Sequence, residues 1–144
     1  MNLEKDEIDP GVKKSPIRAK WKTALDAGFV VVPSVLLRRQ GQLGISDGEL
    51  VVLQHLMMAW WEQRSLPFTR PHVIAARSGG NVRTVQRHLS ALEKRGVLIR
   101  RREDRGLTKY DLSPLVLILE KQSATLPKMQ TGNPDNPSLS TESA

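Results

Sequence analysis

Between residues 69 and 112 the chain reads, without insertion, as a short helix, a glycine turn, a longer helix and a basic β-hairpin. The longer helix, over 82–95, is the most constrained piece. Asn81 can cap it, because an Asn side chain accepts from N–H groups that a first helical turn leaves unpaired. Gly96 stops it in the position just past the end. Val82, Val85, Leu89 and Leu92 repeat at spacings of three and four, an apolar stripe that must face a core. Arg83, Gln86, Arg87, Ser90 and Lys94 fall on another side. Ahead of this helix, Thr69 reads as the cap of a shorter one with Pro71 in its first turn and Val73, Ile74 and Ala76 as its apolar residues. The turn Ser78-Gly79-Gly80 supplies glycines where a positive φ is needed. Behind it, 97–102 and 107–112 read as strands joined by the loop 103–106.

The string Asn81-Val82-Arg83-Thr84-Val85-Gln86-Arg87-His88-Leu89, followed by Leu92-Glu93-Lys94-Arg95-Gly96-Val97-Leu98, resembles the recognition helix and first wing strand of small bacterial winged helix-turn-helix domains. Such domains occur in transcriptional regulators and in plasmid and phage replication proteins. The resemblance runs from about Trp21 to Leu119 and is most specific over 69–112. It departs at Ser78-Gly79-Gly80, where a bulkier apolar residue commonly follows the first glycine. It implies a mainly α fold with a small β-hairpin, a winged helix-turn-helix domain at 21–122. Composition adds a flexible arm at 1–20, broken by Pro10, Gly11 and Pro16, and a disordered tail at 123–144, rich in Pro, Ser, Thr, Asn and Gly. The resemblance also implies double-stranded DNA as the partner.

Charge placement supports that reading independently. The formal net charge is +7, and residues 69–112 alone carry eleven bases against four acids, the whole of the excess. Positive charge gathered in one segment is the footprint of a polyanion site. Arg pairs with guanine and Gln with adenine in a major groove, and such contacts come from the N-terminal half of a recognition helix. Arg83, Thr84, Gln86 and Arg87 are therefore the base-reading candidates. Asn81 and Thr84 can also serve phosphates at the positive end of the helix dipole, and Ser90 extends the same polar face. On the hairpin, Arg100 and Arg102 point one way and Arg101 the other. With Lys109 on the return strand they form a wing, and Arg105 at the tip is its best contact for phosphate or minor groove. An arginine-rich helix alone is an ordinary solvated surface, and charges on a hairpin also blunt strand edges. The two basic elements in succession make the stronger case.

Other chemistries find little support. There is no cysteine, which removes disulfides, thiolate catalysis and thiolate zinc sites. His55, His72 and His88 form no pair at ligand spacing, so no metal or other cofactor is expected. No nucleophile–base arrangement or phosphate-binding glycine loop marks an enzyme, and no residue calls for a small-molecule substrate. No apolar run reaches membrane-spanning length and no signal peptide opens the chain, so a cytoplasmic protein is expected.

The rest of the chain supplies the core. A short helix is expected at 20–27, a strand at 29–32 and a helix from Pro33 to about Gln40. Ser46 and Glu49 form a capping box ahead of a helix over 47–63. On that helix Trp60 and Trp61 cannot both face the core. A last helix, 115–122, opens on five consecutive apolar residues that would also suit a strand. As a helix it needs contact on more than one side, from the partner of a homodimer or from the first helices and Trp60. Three functions compete: a transcriptional regulator, a replication or partition protein binding origin repeats, and a protein–protein adaptor working through the apolar residues.

Overall fold

In a computed structural model the described residues are 16–128. They divide into two compact units between Val31 and Val32. In the first, α1 (Pro16–Trp21) runs into a 3-10 helix, Lys22–Ala27, with Leu25 as its buried residue. Arg18 pairs there with Asp26 at 2.8 Å. Thus Pro16–Lys20, read as the end of an arm, are helical, while residues 1–15 lie outside the described residues. The strand expected at 29–32 does not form. Phe29, Val30 and Val31 are exposed, and among the described residues the hairpin strands pair only with each other. β-Branched residues make a strand only where a neighbouring strand takes up their backbone groups.

The second unit is a winged helix-turn-helix. Its elements are α2 (Ser34–Arg38), α3 (Asp47–Met58), α4 (Pro71–Ser78), α5 (Val82–Lys94), β1 (Ile99–Arg102), β2 (Thr108–Asp111) and α6 (Ser113–Ser123). β1 and β2 are antiparallel, with Arg100 opposite Tyr110 and Arg102 opposite Thr108. α3, α4 and α5 pack on one another around Leu53, Leu56, Ile74, Leu89 and Leu92, all fully buried. α6 closes the core with Leu115 and Leu119 and packs on α2.

Local chemistry sets most boundaries as expected. The Ser46 hydroxyl accepts from the Glu49 N–H at 3.2 Å while the Glu49 carboxylate accepts from the Ser46 N–H at 2.9 Å, a complete capping box. Gly79, at φ 70°, ends α4 in the left-handed region. Three expectations shift. α3 stops at Met58, so Trp60 and Trp61 lie beyond it; Trp60 is half-buried against the core and Trp61 is 81% exposed. α4 starts after Arg70 with no side-chain cap, because Thr69 is buried instead of turned to the helix end. The chain also stays packed past 122: Ser123 closes α6 and Leu126 is half-buried against the core, while residues 129–144 lie outside the described residues. No helix among the described residues is long and apolar enough to cross a membrane.

Candidate nucleic-acid interface

Three valine and leucine side chains seat α5. Val85, Leu89 and Leu92 are 4%, 1% and 0% exposed, but Val82, expected in the same stripe, is 38% exposed. Val82 is the first helical residue and lies on the stripe's edge, and its side chain leans back toward the helix N-terminus. A fourth contact fixes the helix from the side. The backbone of α3 at Gly48 lies so close to His88 that a Cβ there would stand 2.5 Å from the imidazole Nε2. Gly48→Ala should therefore destabilise the protein by about 1–2 kcal/mol through overpacking. In a His88→Ala background the same change should stabilise by about 0.5–1 kcal/mol, the ordinary helical preference for Ala over Gly. Urea unfolding of the four chains of this cycle checks the reversal of sign.

At its C-terminal end α5 is tied to the start of α3. Arg95 donates to the Glu49 carboxylate and to the Gly44 carbonyl. Burial pushes the Glu49 carboxyl up, but the Ser46 N–H and the Arg95 guanidinium together outweigh it and hold the group below its ordinary range. The helix is thus held on α3 by an ion pair and a tight glycine contact, and the remaining face is turned outward.

On that outward face Arg83, Gln86, Arg87 and Ser90 are exposed and Thr84 is half-buried. Asn81 uses its side-chain oxygen to accept from the Arg83 N–H at 2.7 Å, so it is the cap the sequence predicts. Arg87 donates to the Thr84 hydroxyl at 3.2 Å, one turn back. The Arg83 guanidinium makes no hydrogen bond or ion pair among the described residues.

The hairpin sorts its cations by the pleat. Arg100, Arg102, Thr108 and Tyr110 share one face, turned toward α5; Arg101 and Lys109 lie on the other. Arg101 donates to Asp111 at 2.9 and 3.2 Å, and Asp111 in turn accepts from the Ser113 N–H at the start of α6. Hydrogen bonds from Ser113, then Arg101, hold the Asp111 carboxyl below its ordinary range. Lys109 faces Glu103 at 3.7 Å. Of the expected wing residues, the pleat therefore separates Arg101 and Lys109 from the rest.

Arg100 is also engaged. Its backbone N–H and guanidinium bond Glu93 of α5 at 3.0 and 2.9 Å, and its other end donates to Ser90 at 3.2 Å. These contacts hold the Glu93 carboxyl low, the backbone N–H contributing most. They also brace the wing against α5. Arg102 and Arg105 have no such partner among the described residues. Arg105 sits at the tip with φ 70°, a left-handed conformation uncommon for a residue with a Cβ, followed by Gly106 at φ 75°.

Between α5 and the wing runs an open groove of about 600 Å³. Gln86, Arg100, Arg102 and Arg105 line it, as the charge pattern implies, but so do Phe68 and Arg70 from the segment before α4. The Arg70 guanidinium lies 5.7 Å from the centre of the Phe68 ring, and that side chain is 38% exposed. Phe68 is not among the site residues that the sequence points to. The signal that could have found it is its place two residues before a basic residue at the mouth of α4.

Solved structures similar to this chain include these two. One is the N-terminal domain of DnaD protein from Geobacillus kaustophilus HTA426, 29% identical, with a TM-score of 0.53 over 78% of this chain and 92% of that one. The other is the transcriptional regulator PA3341, 26% identical over 76% of this chain and 75% of that one, with a TM-score of 0.40. No family model matches the sequence, and no curated protein does.

Proposed function

We propose that this protein binds double-stranded DNA in a sequence-specific way, as a transcriptional regulator, with α5 in the major groove and the wing on the flanking backbone or minor groove. One observation carries the reading. The helix seated by Val85, Leu89 and Leu92 turns Arg83, Gln86 and Arg87 outward, and the adjoining hairpin presents Arg102 and Arg105 on the groove that Gln86 lines, both with no internal partner among the described residues. Unpaired guanidinium groups on one side of a rigid support need no rearrangement to meet phosphates and base edges. The winged-helix fold and the likeness to the DnaD N-terminal domain support the same placement of helix and wing. Ser90 and Arg100 act as a brace for the wing, and Lys109 stands apart.

Selection of bound duplexes from a random pool, followed by sequencing, tests the reading. Enriched palindromes would support a regulator acting as two copies; directly repeated sites would move the role to replication or partition. On the enriched site, Arg83→Ala and Arg87→Ala should each cost about 1–3 kcal/mol of specific affinity. If both leave specific and non-specific binding unchanged, α5 is not the reading helix.

A further inference from the structure

The groove between α5 and the wing sets an aromatic side chain among arginines. The bases of a duplex have both faces covered by their neighbours, so a protein meets their edges and the phosphates. An aromatic face meets a duplex only at a thymine methyl or as a wedge between base steps, whereas it can stack on any unpaired base. Phe68 is 38% exposed in a groove that Arg70, Arg100, Arg102 and Arg105 also line. It is paired with the Arg70 guanidinium at 5.7 Å. An aromatic ring beside cations is the combination that binds single strands, where each base offers a free π-face and each phosphate a charge.

We propose that this groove binds unpaired nucleotides of single-stranded DNA. A base stacks against Phe68 and Arg70, its phosphates meet Arg102 and Arg105, and Gln86 and Thr108 face the base edge. Glu93, the acid in the groove, is already neutralised by Arg100 and does not repel the strand. The proposal shares the winged-helix placement of α5 and hairpin with the duplex reading but assigns the strand to the groove instead of the outer face. The protein would then engage DNA where a duplex is opened, holding one freed strand beside the paired region read by Arg83 and Arg87.

The test compares fluorescence anisotropy of the full chain with labelled oligothymidylate of about 16 nucleotides and with a duplex of similar length. Phe68→Leu keeps an apolar side chain of similar bulk but has no ring. It should weaken oligothymidylate binding about tenfold or more and leave duplex binding within about twofold, and Phe68→Tyr should restore the loss. Thermal unfolding of each variant confirms that the fold is kept. Arg83→Ala should spare oligothymidylate binding. Absence of oligothymidylate binding by the unaltered chain, or equal loss on both DNA forms in Phe68→Leu, overturns the proposal. So does unchanged oligothymidylate affinity in that variant. Phe68-dependent binding of the single strand with no duplex binding would instead uphold the groove and overturn the duplex reading.

Discussion

Truncating Leu92 to alanine should lower the unfolding free energy by about 2–5 kcal/mol. Leu92 is wholly buried on α5, the helix that packs on both α3 and α4. Its loss removes transfer free energy and leaves a cavity that neighbours on two sides cannot both move to fill. For a domain of this size total stability is only about 5–15 kcal/mol. Each kcal/mol shifts Tm by roughly 4–8 °C, so the transition should fall by on the order of 10–30 °C. Val82→Ala is the matched control. By spacing Val82 belongs to the same stripe, yet its exposure predicts a change within about 0.5 kcal/mol. Thermal unfolding followed by circular dichroism separates the two. Equal losses at both positions would mean that α5 is seated by a different face, and that the outward set of Arg83, Gln86 and Arg87 is misassigned.

That contrast also shows what a sequence discloses about this fold. Caps and stops were legible because they act within one turn: Asn81, Gly79, Gly96 and the Ser46–Glu49 pair each satisfy or release neighbouring backbone groups. The order of helix, turn, helix and hairpin followed from them. What could not be read depends on distant partners. The 29–32 run has strand composition, but no strand lies alongside it among the described residues. Thr69 is a good cap by type, yet the core takes it. The period of α5 continues into Val82, where the packing does not follow. In the site, alternation along β1 correctly put Arg100 and Arg102 opposite Arg101. It could not show that Arg100 is already bound to Glu93 and Ser90, or that Phe68 and Arg70 come to the same groove from before α4. Local spacing gives faces; only the tertiary fold shows which faces meet.

The wing gives the largest expected effect on binding. Arg102 and Arg105 face the groove without partners among the described residues, so on a duplex they stand in for condensed counterions at the phosphates. Each phosphate contact adds about −0.9 to the slope of log K against log salt, so the chain with Arg102→Ala and Arg105→Ala should show a slope shallower by about 1.8. Affinity should fall on the order of 10–100-fold at low salt for duplexes of any sequence, because phosphates carry no sequence information. Arg101→Ala removes one charge from the strand that carries Arg102 but from its other face, where Arg101 serves Asp111 and the start of α6. Its slope should stay within about 0.3 of the unaltered protein, since a group that meets no phosphate releases no counterion. Its cost should appear in stability instead, as Asp111 loses the guanidinium that helps hold its charge. Salt titrations of duplex binding, paired with unfolding curves, distinguish these outcomes. If the shallow slope followed Arg101 and not Arg102 with Arg105, the DNA-facing side of the hairpin would be the reverse of the one that faces α5. The groove would then lie away from the nucleic acid.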